Sequence, residues 1–311
     1  MSGQRLRLEH VQTFTSADSI EAHLASYRRA GFLPVSHVAQ WDPGLRTGFL
    51  NLWPDYVEFL LVEDEGAFAA AEPSLRAART ARRPYGIGFY HDDTVALREQ
   101  WVRRGFALPE AEMLRLGTTP ADAGPDFCEL PIPREILPGA ACFALTSFYP
   151  DAPLRRQVWV APNSVFALSG VTLVADEPAG RAHAWRDLLL PGAAVEVEED
   201  RARLRIPPHE VEWLTPAAFA RTCDRPLSAG SGEWEVALLH LLAEDLLRFE
   251  DLAVGGGREV RALMDGRLLV EPHPDDGCTF TVAQRSASGW LADRRSACGE
   301  ALEIHRREDI A

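Results

Sequence analysis

The chain has 311 residues, 46% of them apolar, which is enough for about two average domains with real cores. Its 32 basic and 46 acidic residues give a formal charge of −14, which argues against a nucleic-acid backbone or an anionic membrane surface as partner. Every one of the basic residues is arginine, so Schiff-base chemistry, a phosphate-loop lysine and the protein-kinase residue set are excluded.

Residues 6–14 alternate apolar and polar like a half-buried strand, and residues 16–30 change to helical spacing with Ile20, Leu24 and Tyr27 inward. Gly31 closes that helix where a left-handed residue is wanted. Strand-like runs follow at 32–39, 46–53 and 56–62, parted by the turn formers Asp42-Pro43-Gly44 and Pro54-Asp55. The unit reads β-α-β-β-β. Residues 66–83, in which Pro73 and Ser74 open an Ala/Arg-rich run, predict a connecting helix with Arg76, Arg79, Arg82 and Arg83 on a solvated face.

From Pro84 the same order recurs, with a strand at 85–90, a helix at 93–104 and strand candidates at 112–116, 127–130 and 142–149. SYRRAGFLP (26–34) is echoed by WVRRGFALP (101–109), the mark of an internal repeat. A third copy runs from Gly170: strand 170–176, helix 177–190, strands 194–198, 201–206 and 210–214. A fainter fourth has a strand at 236–242, a helix at 245–253, a Gly255–Gly257 break, a hairpin at Asp265-Gly266 and a strand at 278–284. YVEFL (56–60) and HEVEWL (209–214) set Glu58 and Glu212 at the same place in a last strand, 154 residues apart. The expected fold is α+β, as tandem paired β-α-β-β-β units. Two domains, 1–155 and 165–311, each wrap a curved mixed sheet around a cavity, and a proline-rich stretch between 149 and 169 joins them.

These paired units, opened by LEHV and closed by YVEFLLVEDE, with APNSVFALSGVTLVADEPAGRAHAWRDLL starting the second domain, resemble the vicinal-oxygen-chelate superfamily. Within it they are similar to the glyoxalase/bleomycin-resistance-like domain proteins, over most of residues 6–285. The resemblance implies that the first and last strands of a unit lie side by side and offer inward side chains to a divalent ion. Here the matching ligands are His10 and Glu58, with Glu58 doubling as catalytic base. A mixed N/O set suits Fe, Mn, Ni or Zn. Period-2 alternation puts Gln12 and Phe14 on the face of His10, and Gln12 is a third ligand or a hydrogen-bond partner of substrate. Thr47, Asn51 and Trp53, near Glu58, are candidates for gripping an organic ligand, with Arg46 adding charge for a carboxylate; ordinary sheet packing is the other reading. A glutamate between Val57 and Phe59 is costly unless paired or ion-bound, though a solvated face or an Arg46 ion pair would also satisfy Glu58.

Departures from the family pattern are visible too. Superposing Gly31-Phe32 on Gly105-Phe106 sets His10 against Pro84 or Tyr85, and the strand at 142–149 has no carboxylate on either face. The linker carries Ala161 where related sequences often show histidine. In the second half Glu212 is kept, but Gly170, Thr172 and Val174 stand where His10 would be, so that half reads as a structural copy. His91 with Asp92 and Asp93 reads as a helix cap, His37 as a structural strand histidine, and His209 and His273 as turn residues. His23, His183 and His240 have no convergent partner in sequence.

Five cysteines without a CxxC pair, and no apolar run near 18 residues, predict a reduced, cytoplasmic protein with no membrane span. The expected function is a divalent-metal-dependent isomerase, lyase or ring-cleavage enzyme acting on a small oxygen-rich molecule. The alternative is a metal-free small-molecule-binding cup of the resistance type. Internal pairing of the two domains predicts a monomer.

Overall fold

Strand β1 (Arg7–Thr15) sets the geometry of everything around it. Its ladder slips by one residue between Leu8 and His10, and this bulge keeps Leu8 and Val11 on one face while His10, Gln12 and Phe14 share the other. Helix α1 (Ile20–Arg29) covers the first face with Ile20, Leu24 and Tyr27. It starts later than its apolar spacing predicts, at Ser19, whose hydroxyl accepts from the Ala22 amide. Strands β2 (Pro34–Trp41), β3 (Leu45–Leu52) and β4 (Asp55–Val62) meander back, and β4 lies parallel beside β1 with Gln12 opposite Glu58. Helix α2 (Glu65–Ala71) follows.

The second unit repeats the order: β5 (Pro84–Tyr90), α3 (Thr94–Arg103), β6 (Glu112–Leu114), β7 (Phe127–Ile132) and β8 (Ala141–Ser147). Asp93 caps α3 by accepting from the Ala96 amide at 2.9 Å, as the reading of the His91 corner expects. Strand β5 runs antiparallel to β1 and closes an eight-stranded sheet of order β2-β3-β4-β1-β5-β8-β7-β6. After β9 (Gln157–Val160) the pattern starts again with β10 (Val165–Val174), α4 (Pro178–Leu189), β11 (Val195–Glu198), β12 (Arg201–Ile206), β13 (His209–Leu214) and α5 (Pro216–Cys223). Then come β14 (Val236–Ala243), α6 (Leu246–Gly255), β15 (Val260–Ala262), β16 (Leu268–Val270), β17 (Phe280–Gln284), α7 (Ala287–Cys298) and β18 (Glu303–Arg306). The second sheet, β11-β12-β13-β10-β14-β17-β16-β15, has the same topology as the first, and β18 pairs in parallel with β9. The α+β fold of tandem paired β-α-β-β-β units is therefore present.

The structure is a computed structural model that describes residues 6–41, 44–52, 54–71, 79–80, 83–115, 124–148, 157–226, 235–298 and 302–306. Pro73, Ser74, Arg76, Arg82, Leu116 and Tyr149 of the expected elements lie outside it. Arg83, assigned by its sequence context to a solvated face, is buried. The third-unit strand begins five residues before Gly170, at Val165, and Gly170 sits mid-strand where the Glu210 carbonyl oxygen comes within 2.1 Å of where a β-carbon would be. Helix α7 and strand β18 carry no motif that announces them.

The helix-bearing faces of the two sheets share one apolar cluster that runs from Leu8 and Tyr27 through Val171 and Trp185 to Phe280. Trp185 of α4 joins the halves directly, donating to the Pro138 carbonyl at 3.1 Å. The opposite faces form two cups. One end of each is plugged by the short helix after the fourth strand: Phe68 of α2 in the first, Phe219 of α5 in the second, both fully buried.

Candidate functional site

In the first cup, β1 and β4 bring His10, Gln12 and Glu58 together. The Gln12 side-chain amide donates to Glu58 Oε2 at 2.9 Å, and His10 Nε2 stands 3.8 Å from the same oxygen. Both His10 and Glu58 are almost wholly buried, at 2% and 3% exposure. The other ring nitrogen, Nδ1, meets Glu9 Oε2 at 3.3 Å, so the bulged residue turns a carboxylate onto the back of the imidazole. That contact gives Nδ1 the proton and leaves Nε2 as the lone-pair nitrogen. The ring stacks on Tyr56 with centroids 4.5 Å apart and leans on Phe143 at 5.2 Å. Space for it comes from β5: a β-carbon on Gly88 would lie 2.3 Å from His10 Cε1, and one on Gly86 would lie 2.5 Å from Gln12 Oε1.

The residues at hand fit a divalent ion in part. His10 Nε2 is buried and makes no hydrogen bond, an omission that needs a reason. Two ligands each ~2.1 Å from one ion can be no more than ~4.2 Å apart, and the 3.8 Å between Nε2 and Glu58 Oε2 lies inside that limit. The second unit adds nothing, because Gly86, Gly88 and Phe143 occupy the facing positions. The residue paired with His10 across β5 is Gly88, which has no side chain to offer.

Of the other expected residues, Thr47 is buried on β3 opposite Leu60, Asn51 lies opposite Tyr56, and Phe14 stacks on Tyr85 at 4.8 Å, all on the cup side. Arg46 does not join them. Adjacent strand residues point to opposite faces, so Arg46 emerges on the helix side, where it pairs with Glu63 at 2.7 Å and Glu21 at 3.7 Å. It serves neither as a carboxylate grip in the cup nor as an ion-pair partner of Glu58. Trp53 lies outside the described residues, as does the side chain of His37.

The second cup is not an empty copy. Thr172 and Glu212 pair across β10 and β13 as Gln12 and Glu58 do, and Thr172 Oγ1 donates to Glu212 Oε2 at 3.0 Å. Opposite Gly170 on β14 stands His240, in the register position that Gly88 holds against His10. Histidine and glycine are thus exchanged across the central strand pair. His240 Nε2 lies 2.7 Å from Thr172 Oγ1 and its Nδ1 2.5 Å from Thr281 Oγ1. Burial lowers the imidazole to about 4, against the pull of Glu212, so it is neutral near pH 7. Burial raises the Glu212 carboxyl, but His240, Arg203, Arg201 and Thr172 outweigh that and hold it below the usual range. The tautomer follows: Thr172 must donate to the carboxylate, so it accepts from Nε2–H, and Nδ1 accepts from Thr281. With Arg203 Nε on Glu212 Oε1 at 3.1 Å, both groups are already satisfied, and an open cavity of about 540 Å³ lined by Arg201, Arg203, His240, Arg267 and Thr281 lies over them. Period-2 counting along β10 alone cannot find His240, because its partner strand lies 68 residues on.

Two further histidines judged as isolated turn residues also have partners. His209 joins Arg294 and Arg7 around Asp55 in a fully buried charge cluster. His273 lies beside His23 of α1. The four cysteines with described side chains (Cys128, Cys142, Cys223 and Cys278) are buried free thiols, and burial pushes Cys223 up to about 11. Among the described residues no helix is long and apolar enough to cross a membrane.

No protein-family model and no curated protein matches the sequence. Solved structures do resemble the fold. A hypothetical protein from Staphylococcus aureus aligns with a TM-score of 0.59 at 9% identity, over 90% of this chain and 100% of its own. The Mn(II)-bound glyoxalase from Novosphingobium aromaticivorans aligns at 0.53 and 12% identity, over 97% and 88%. A xylose isomerase-like TIM barrel/4-hydroxyphenylpyruvate dioxygenase fusion protein aligns at 0.52 and 12% identity, over 97% of this chain and 53%, about half, of the fusion. At these identities the likeness is one of architecture, the tandem paired β-α-β-β-β fold that the glyoxalase shares.

Proposed function

We propose that the first cup is the active centre of a divalent-metal-dependent enzyme, an isomerase, lyase or ring-cleavage enzyme, acting on a small oxygen-rich molecule. The observation that carries this reading is the orphaned, buried His10 Nε2 facing Glu58 Oε2 across 3.8 Å. His10 and Glu58 would hold the ion, with the Gln12 amide oxygen as third donor. A bound ion supplies Lewis-acid polarisation of a substrate oxygen. Glu9 keeps the proton on His10 Nδ1, Tyr56 and Phe143 exclude water from the ring, and Gln12 orients the Glu58 carboxylate, which takes or returns the substrate proton. Thr47 and Asn51 are the groups on β3 placed to orient substrate.

Elemental analysis of untagged protein purified without chelator tests this. Wild type is expected to carry metal that His10→Ala and Glu58→Gln lose from this site. A folded first cup that takes up no ion on titration overturns the reading.

The second reading, a metal-free binding cup, is favoured by one observation in the other half. His240 and Glu212 are already hydrogen-bonded there beneath a cavity lined by Arg201, Arg203 and Arg267 together with Glu210 and Asp265, a setting for a polar small molecule and not for an ion. Equilibrium binding of small carboxylates by wild type and Arg267→Ala separates it from the first.

A further inference from the structure

We propose a second metal site, unrelated to either cup, in which His23 of the first half and His273 and Asp275 of the second hold one transition-metal dication and clamp the halves together. The three side chains each present a ligating atom within 4.8 Å of the others. They come from α1 and from the loop between β16 and β17, far apart in sequence. That loop is seated against the first half by several bonds. Ser16 N donates to the Asp275 carbonyl at 2.8 Å, Thr13 Oγ1 to the Asp276 carbonyl at 3.0 Å, and Tyr27 OH to Asp276 Oδ2 at 2.8 Å. The ligand set is therefore assembled before any ion arrives, which lowers the entropic cost of binding.

His23 supplies the independent sign that something is missing. It is 1% exposed, its ring packs edge-on against Phe59 at 4.5 Å, and neither ring nitrogen makes a hydrogen bond. Nε2 lies 3.1 Å from Asp276 Oδ2 without hydrogen-bond alignment, so the ring keeps a nitrogen lone pair that no donor fills. A buried acceptor in that state is costly unless it is filled. His273 stands at right angles to it with centroids 5.4 Å apart, and its Nδ1 is 3.7 Å from Asp275 Oδ2. At present His273 Nδ1 accepts only the Asp275 amide, at 3.2 Å, a weak bond that a metal–nitrogen bond outweighs.

Two imidazoles and one carboxylate select zinc or a neighbouring first-row ion over calcium or magnesium, which prefer oxygen donors. The side chain of Asp275, 38% exposed, marks the face by which the ion enters. Arg258 lies over the Tyr27 ring at 4.3 Å, beside the loop that carries Asp275 and Asp276. His23 packs on Phe59 while Glu58 points into the cup, so this site and the proposed catalytic one lie on opposite faces of β4 and share no residue.

The test uses chelator-treated full-length protein carrying His10→Ala, so that the first cup does not compete, titrated with Zn²⁺ by calorimetry and with Co²⁺ by visible absorption. One equivalent should bind, with the intense d–d bands of a four-coordinate N/O site, and Zn²⁺ should raise the melting temperature. His273→Gln and Asp275→Asn, both at partly exposed positions, should weaken binding by more than about tenfold while leaving the metal-free melting temperature unchanged. No uptake in the His10→Ala background, or uptake that neither of these two variants diminishes, overturns the proposal. Either result leaves the first-cup reading to its own experiment.

Discussion

Asp55 and His209 open equivalent strands, β4 and β13, 154 residues apart, and they touch each other: His209 Nε2 lies 2.9 Å from Asp55 Oδ2. The internal repeat is closed on itself at this contact. Arg294 of α7 donates to the same carboxylate at 2.9 Å, with Arg7 at 3.4 Å, and none of the four is more than 5% exposed. Burial works against the Asp55 charge, but Arg294 and His209 overcome it and hold the carboxyl at about 2.

Asp55→Asn should destabilise the protein by about 3–5 kcal/mol, because it removes the buried negative charge that Arg294, Arg7 and His209 share. Urea unfolding of the variant measures it. A loss under 1 kcal/mol would show that the cluster is not what holds the halves in register.

Stability should fall in two stages on acidification. His240 is held at about 4 against an ordinary 6.5, so the folded state binds fewer protons between those values. Its contribution is complete above pH 6.5 and is lost as the pH drops towards 4, at most ~3 kcal/mol. His209, lowered by burial, acts in the same direction. Asp55 is depressed from 3.8 to about 2, so its contribution is kept above about pH 4 and lost below that. Unfolding midpoints of wild type and His240→Asn at pH 8, 6 and 4.5 should differ in slope, the variant being flatter by about one proton. Parallel curves would mean that His240 is not held neutral.

Gly88→Ala should fold yet displace His10, since the new methyl would sit 2.3 Å from Cε1. The expected cost is ~1–3 kcal/mol, accompanied by loss of metal from the first cup. Metal content and melting temperature, read together, distinguish a shifted ring from a collapsed fold.

The internal pairing of the halves predicts a monomer of 34.4 kDa at all concentrations. Sedimentation velocity over a hundredfold range decides it, and a persistent dimer would overturn it.

Much of this architecture is legible in the sequence, and the reasons can be named. Period-2 alternation after the bulge places His10, Gln12 and Phe14 on one face, and the repeated glutamate marks β4 and β13. Arg46 and Thr47 are neighbours on one strand, so alternation alone forbids both from lining the cup. Reading Arg46 as a grip put residue chemistry before geometry. His23, His209 and His240 were beyond reach for another reason: their partners lie 253, 154 and 68 residues away, and only strand register and the contact between halves bring them together. The bulge at Glu9, which sets a carboxylate behind His10, likewise has no signature of glycine or proline.

Strand β9 begins the second half and β18 follows its last helix, and the two lie side by side, a strand spacing of about 4.8 Å apart. The pair is parallel, with Gln157 beside Glu303 and Val160 beside Arg306, so the first and last strands of this half run in the same direction and close it on itself. Residues 157–306 are thus closed by their own terminal strands, while the shared apolar cluster and the Trp185, Asp276 and Asp55 contacts fasten them to the first half at several places.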